Sequence, residues 1–236
     1  MIIFVMPAYN EEANIEEVVR AWAPVVSKCD EEEGAKLLIS DVGSTDRTHE
    51  ILLSLAADYP FLETFDKCGK QHGPKLMALY KEAVERGADL VFQTDSDGQT
   101  DPADFEAFWA LRHEYDVILG NRTKRGDGKS RAYVEKVVCL MLMTFFGVNV
   151  PDANAPFRLM RTDVLRKYLT PIPDDYEIPN IILTAFFARN NEKMTFREIS
   201  FKARGAGVNS IDMKKIVKIG RKAVSDFRYF QKVMRK

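Results

Sequence analysis

Apolar runs and amphipathic stretches alternate through the first hundred positions. Residues 2–6, Ile-Ile-Phe-Val-Met, are continuously apolar, as in a strand buried on both faces. From Ile15 the apolar positions take helical spacing, with Val18, Val19 and Trp22 on one face. Pro24 is expected to end or kink that helix. Asp30-Glu31-Glu32-Glu33-Gly34 reads as a solvated acidic turn. A second strand at residues 37–40 leads to a helix carrying Ile51, Leu52 and Leu55, which Ser44 or Thr45 can cap. A short third strand near residues 62–65 precedes a helix with Leu76, Leu79, Tyr80, Ala83 and Val84 inward. A fourth strand runs from Val91 and stops at Asp95. This alternation predicts an α/β fold, a doubly wound, mostly parallel sheet with right-handed crossovers and flanking helices.

The second half is less regular. Residues 117–122 form another strand, followed by a basic, glycine-containing loop with Arg122, Lys124, Arg125, Lys129 and Arg131. The next helix, with Val134, Val137, Val138, Met141, Leu142 and Phe145, is more apolar than a surface helix. Core packing is the preferred reading, and a lipid- or partner-facing groove the alternative. A helix through Ile182, Leu183 and Phe186 precedes a half-buried strand at residues 196–201. From Ile211 a basic amphipathic tail carries Ile216, Ile219, Ala223, Phe227, Phe230 and Met234 on one stripe. It suits an anionic bilayer surface and also docking on the protein's own core, the preferred reading.

Composition narrows the classes. The 236 residues are 46% hydrophobic, enough for a full core, and the net charge of −1 gives no global pull toward nucleic acid. Three cysteines without metal-like spacing argue against a disulfide scaffold and for a reducing compartment. The first seven residues read as a strand rather than a signal peptide. The longest apolar stretch, residues 137–150, is too short to span a bilayer. A cytoplasmic protein is expected, with contact at the inner face of the membrane as an option.

The candidate chemistry sits at strand ends. Asp95 and Asp97 are two residues apart at a strand terminus, so both point to one side, and Gln99 continues the series with an amide oxygen. Ligands of parallel sheets sit beyond the carboxyl ends of the strands. Hard oxygen donors there suit Mg²⁺ or Mn²⁺ shared with substrate phosphates. A calcium loop fits poorly, because Thr100 stands where glycine is required and no helix precedes it. A phosphatase with an aspartyl nucleophile and a plain solvated turn remain as rivals. Tyr9 and Glu11 lie just past the first strand, where a nucleotide could stack and hydrogen-bond, and Asp41 closes the second. Lys67, Lys70 and Lys75 surround two glycines ahead of a helix, a plausible phosphate-side loop.

Pro7-Ala8-Tyr9-Asn10-Glu11, Asp41-Val42-Gly43-Ser44-Thr45-Asp46-Arg47-Thr48 and Asp95-Ser96-Asp97-Gly98-Gln99 follow one another in that order. Together they resemble the Pro-x-Tyr-Asn-Glu, Asp-Asp-Gly-Ser-x-Asp-x-Thr and Asp-x-Asp segments of family 2 glycosyltransferases of the GT-A fold. The glutamine after Asp97 is similar to the polyprenyl-phosphate sugar synthases, the dolichol-phosphate-mannose synthase type. Asp152 to Arg158 resembles the family's Asp-x-x-x-Gly-Phe-Arg, with Pro156 in place of glycine. Arg204 to Ser210 resembles its Arg-x-x-Gly-x-Ser loop.

The resemblance implies an inverting, metal-dependent transfer from a nucleotide sugar. It places Pro7, Tyr9, Glu11, Asp41, Lys75, Asp95, Ser96, Asp97 and Arg204 on the donor, and Asp95, Asp97 and Gln99 on Mg²⁺ or Mn²⁺. Asp97, Arg122, Arg131, Asp152 and Glu177 become catalytic candidates. Arg122 and Arg131 would clamp an acceptor phosphate; Asp152, Asp175 or Glu177 would serve as base for a hydroxyl acceptor. The implied division is a glycosyltransferase domain over residues 1–210, with a nucleotide-sugar half at 1–120 and an acceptor half at 121–210, then a tail helix at 211–236. The preferred acceptor is a polyprenyl phosphate, and the runner-up a saccharide hydroxyl. Val42 departs from the family's second acid, which leaves base recognition open and keeps a non-catalytic nucleotide-sugar binder as an alternative.

Overall fold

The computed structural model describes residues 1–126, 128–203 and 213–234. The strands are β1 (Ile2–Pro7), β2 (Ala35–Ser40), β3 (Leu62–Thr64), β4 (Leu90–Thr94), β5 (Val117–Arg125), β6 (Phe157–Arg161) and β7 (Met194–Phe201). They form a seven-stranded sheet in the order β3-β2-β1-β4-β6-β5-β7. β6 runs antiparallel to β4 and β5, and every other pairing is parallel. The chain winds outward from β1 to β2 and β3, then returns to the other side of β1 as β4. That reversal opens a crevice at the carboxyl ends of β1 and β4.

The helices are α1 (Ile15–Glu33), α2 (Thr48–Asp58), α3 (His72–Glu85), α4 (Phe105–Trp109), α5 (Lys129–Phe146), α6 (Thr162–Leu169), α7 (Pro179–Arg189) and α8 (Met213–Val233). Alternate residues of β1 feed two cores. Ile2, Phe4 and Met6 face α1 and α4, and Ile3 and Val5 face α3 and α7. On the first side Phe4, Trp22, Phe92, Phe105 and Phe157 form an aromatic cluster, with Phe92 and Phe157 centroids 4.7 Å apart.

Three local expectations are corrected. α1 does not end at Pro24 but continues to Glu33. Pro24 lies on the exposed face, where water can take the Arg20 carbonyl left without its N–H donor. The acidic run is solvent-exposed, as expected, but it is the last turn of that helix rather than a separate turn; Trp109 Nε1 donates to Glu32 at 3.0 Å and Arg112 Nε to Glu33 at 3.2 Å. Gly34, at φ 78°, ends it. Asp46, not Ser44 or Thr45, accepts the first free N–H of α2, from Thr48 at 3.0 Å. Residues 157–161 are a central strand.

α5 has two apolar faces. It buries Leu142 and Phe146 in the core and presents Tyr133, Val137, Leu140 and Met143 outward. α8 docks on the core through Ala223, Phe227 and Phe230, with Phe227 set edge-on to Phe146 at 5.4 Å. Among the described residues no helix is long and apolar enough to cross a membrane.

Candidate active site

Pro7, Ser40 and Thr94 end three neighbouring parallel strands, so the loops that follow them open on one edge of the sheet. The first two loops are knitted together. Asn10 adopts φ 53°, a left-handed conformation that asparagine tolerates. Its Oδ1 accepts from Thr45 N–H at 2.8 Å, and its own N–H donates to Ser44 Oγ at 3.1 Å. Glu11 N–H donates to Thr48 Oγ1 at 2.8 Å, and Glu12 N–H to Asp46 at 3.1 Å. These bonds leave Tyr9 projecting from the loop, 49% exposed, while Glu11 and Asp41 are almost buried.

Asp41 accepts from His49 Nδ1 at 3.1 Å. His49 escaped the sequence reading. Its signal was position, eight residues after Asp41 and in the first turn of α2. Gly43, at φ 85°, packs against the Lys70 side chain, bringing the lysine-containing loop over the Asp41 turn. Lys75 is 1% exposed; it donates to the Ala8 carbonyl and holds its ammonium 5.5 Å from the Tyr9 ring centre. Burial pushes its pKa down. Lys75 therefore ties the third loop to the first.

Ser96 Oγ donates to the Pro7 carbonyl at 2.8 Å, closing the β4 end onto β1. Asp97 Oδ1 accepts the Gln99 N–H at 3.1 Å. Gln99 Nε2 donates to the Lys202 carbonyl at 2.8 Å, and Lys202 N–H returns a bond to the Gln99 carbonyl at 2.7 Å. Gln99 thus joins the carboxylate loop to the end of β7, with its amide oxygen as the atom suited to a cation. Asp95 accepts from Gln93 Nε2 at 3.2 Å, and His72 Nε2 lies 3.9 Å from it. Burial, then the Asp97 carboxylate, push Asp95 well above the usual carboxylate range. Two anions crowding one spot are relieved by a hard cation, so the donor set fits Mg²⁺ or Mn²⁺. Among the described residues no three His, Cys, Asp or Glu side chains converge to hold an ion alone. The oxygen donors available there are Asp95, Asp97 and the Gln99 side-chain oxygen.

Between β5, α5 and the loop before β6 lies a cluster of buried charges. Arg122 Nε and Nη2 grip Asp152 at 2.7 and 2.8 Å, and Nη2 reaches Glu135 at 3.1 Å. All three side chains are nearly buried. Glu135, on α5, also accepts the Ala153 N–H at 2.7 Å; sequence reasoning missed it. Burial acts to raise the Asp152 pKa, but Arg122's hydrogen bonds and charge and backbone N–H donors bring it below the usual value. Arg131 is half-buried in the first turn of α5. Arg158 is fully buried, donating to the carbonyls of Ala155, Asn180 and Ala153 and to Thr184 Oγ1 at 2.8–3.0 Å. Glu177 is 45% exposed, 3.6 Å from Lys222 Nζ. A Cβ at Gly73 would meet the Tyr176 carbonyl at 2.2 Å, so the 176–177 backbone lies against the start of α3 beside His72. Asp175 is exposed. Arg204 lies outside the described residues.

A family model described as glycosyl transferase family 2 matches residues 3–169. The chain is a family 2 glycosyltransferase. The glycosyltransferase is 25% identical over 172 residues to an undecaprenyl-phosphate mannosyltransferase of Micrococcus luteus, covering 70% of this chain and 68% of the relative. It is 28% identical over 191 residues to an undecaprenyl-phosphate 4-deoxy-4-formamido-L-arabinose transferase of Pseudomonas aeruginosa, covering 80% of this chain and 55% of that one. The chain therefore spans only about half the length of the second relative. Its fold matches glucosyl-3-phosphoglycerate synthase from Mycobacterium tuberculosis, crystallised with Mn²⁺, UDP-glucose and phosphoglyceric acid, with TM-score 0.66 over 98% of this chain and 79% of that chain at 18% identity. It also matches S. aureus TarS, with TM-score 0.58 over 86% of this chain and 60% of that chain at 17% identity. These structures establish the GT-A architecture, which the sequence pattern anticipated.

Proposed function

We propose that this glycosyltransferase moves a sugar from a nucleoside diphosphate sugar to a polyprenyl phosphate, inverting the anomeric centre. Residues 1–120 serve the donor and residues 121–210 the acceptor. Tyr9, Glu11 and Asp41 take the nucleoside, with Pro7, Ser96 and Lys75 fixing the loops that carry them and Arg204 assigned to the diphosphate. Asp95, Asp97 and Gln99 hold Mg²⁺ or Mn²⁺. A divalent ion there supplies neutralisation of the charge that builds on the departing diphosphate.

The acceptor assignment rests on one observation: Arg122 holds Asp152 ionised and buried. A base for a sugar hydroxyl needs a pKa nearer neutrality; Asp152 is shifted the other way. A phosphate acceptor is already an anion and needs only positioning. Arg131, at the start of α5, is the cation we assign to that phosphate, and Arg122 keeps the loop around Asp152 in place beside it. The polyprenyl-phosphate activity in both relatives' names supports the same reading. Glu177, 45% exposed, is the carboxylate that favours the second reading, transfer to a saccharide hydroxyl.

A polyprenyl acceptor resides in a bilayer, and α5 offers a surface to meet it. Its outward row of Tyr133, Val137, Leu140 and Met143 is joined by exposed Lys136, and its single acid, Glu135, is turned inward to Arg122. This pattern suits peripheral contact with an anionic leaflet.

The test is transfer of labelled sugar from a panel of UDP-, GDP-, dTDP- and CDP-sugars to undecaprenyl phosphate or to soluble saccharides. Product in the lipid fraction is expected. Product only on saccharides selects the hydroxyl reading, and donor binding without any product reduces the protein to a binder.

A further inference from the structure

We propose that Gln93 and Asn180 are positioning residues that set the orientation of the Asp95 carboxylate for its cation. This rests on the cation reading given above and extends it to residues outside the cleft.

Gln93 lies in β4, two positions before Asp95, and is fully buried in the middle of the sheet. A glutamine there is unexpected, because the strand is otherwise Leu, Val, Phe and Thr and is buried along its whole length. Its Nε2 donates to Asp95 Oδ1 at 3.2 Å. Its Oε1 accepts from Asn180 Nδ2 at 3.0 Å. Asn180 is the second residue of α7 and is 3% exposed. Its Oδ1 accepts from the Tyr80 hydroxyl at 2.8 Å. Arg158, opposite Gln93 in the β4–β6 register, pins the same turn by donating to the Asn180 carbonyl at 3.0 Å.

The chain has one polarity. A phenol has a single proton; two oxygens lie within its reach, Asn180 Oδ1 at 2.8 Å and Gln93 Oε1 at 3.4 Å, and Tyr80 gives the proton to the nearer, Asn180 Oδ1. The Asn180 amide must then turn its NH₂ to Gln93, and Gln93 its NH₂ to Asp95. Every link is satisfied, so the buried polar groups avoid the usual penalty. The run ends on an N–H aimed at one oxygen of the carboxylate. That bond fixes the side chain's rotation and leaves the other oxygen directed by it. A fold that needed only packing would be served by apolar residues at 80, 93 and 180. Groups that orient a metal's ligands typically contribute about ten-fold or more to metal affinity.

The experiment measures the Mn²⁺ concentration that gives half of the metal-dependent rise in melting temperature. It uses whichever of UDP, GDP, dTDP or CDP stabilises the wild type, and compares Gln93→Met, Asn180→Leu and Tyr80→Phe. Half-saturating Mn²⁺ is expected to rise about ten-fold in Gln93→Met and two- to three-fold in Tyr80→Phe. Excess Mn²⁺ should restore both the full melting increment and turnover, a rescue that a purely structural defect would not allow. Unchanged half-saturation, or a loss that added Mn²⁺ does not recover, overturns the proposal. If Gln93→Met does not fold, Tyr80→Phe decides alone by the same criterion. A wild type that shows no metal-dependent rise with any nucleotide instead overturns the cation reading itself, and this inference with it.

Discussion

Replacing Arg122 with Met is the most informative perturbation of the buried charge cluster. The guanidinium is 6% exposed and sits between Asp152, 3% exposed, and Glu135, 13% exposed. Methionine keeps much of the side-chain volume and removes the charge. Two carboxylates are then left in a poorly solvated place. Asp152 retains the Asn154 N–H at 3.0 Å, and Glu135 retains the Ala153 N–H at 2.7 Å, so neither is wholly stripped. Removing one partner of a buried pair costs about 3–5 kcal/mol, because the remaining charge is uncompensated. A domain of this size shifts by about 2–4 °C per kcal/mol, so the melting temperature should fall by about 6–20 °C. Urea unfolding at pH 7 gives the free energy directly, and the m-value should not change. Adding Asp152→Asn to Arg122→Met should recover part of the loss, since one of the two stranded charges is gone. A fall below about 1 kcal/mol would refute the reasoning: the pair would then behave as a surface ion pair, and Arg122 would be available to an acceptor phosphate.

Three other outcomes follow from the same structure. Asp152 has a folded pKa below its unfolded value of about 3.9, so its contribution is fully present above that value and is lost as pH falls through the folded pKa. The stability gap between wild type and Asp152→Asn should therefore shrink below about pH 4 in urea titrations, and a gap independent of pH from 7 to 3 would contradict this. Burial pushes the Cys29 and Cys139 thiols up to about 12, aided for Cys139 by Glu135. At pH 8 only about one molecule in ten thousand carries either thiolate, so native protein should leave both unlabelled by iodoacetamide, and labelling at the rate of a free thiol would refute the burial. At Gly73 an added Cβ meets the Glu177 carbonyl carbon at 2.5 Å, so Gly73→Ala should cost about 1–3 kcal/mol in urea unfolding and displace the Glu177 segment; an unchanged midpoint would show that the contact is absent.

The first half of the chain was legible because local signals agree there. β1, β2 and β4 are apolar runs that stop at a polar loop, and the helices between them keep helical periodicity. What failed depends on distant partners. β6 hides because its five residues include Arg158 and Arg161, and a buried arginine looks like surface until Ala153, Ala155, Asn180 and Thr184 are folded around it. The ion pairs of Arg122 were not visible in its basic loop, because the partners stand 13 and 30 residues further on. The contacts of exposed Glu32 and Glu33 could not be seen because Trp109 and Arg112 are far away in sequence. Gln93 escaped the sequence reading: its two-residue spacing from Asp95 was a local signal, but its other partner, Asn180, is 87 positions distant.

The central claim is that Asp95 and Asp97 hold a cation against a nucleotide's diphosphate. Its most direct test is a melting series of wild type and Asp97→Ala with each nucleotide sugar, with and without Mn²⁺. The account predicts that at least one nucleotide sugar raises the wild-type melting temperature further when Mn²⁺ is present, and that Asp97→Ala folds but loses that additional rise. An equal Mn²⁺-dependent rise in both proteins, or none with any nucleotide, would contradict it.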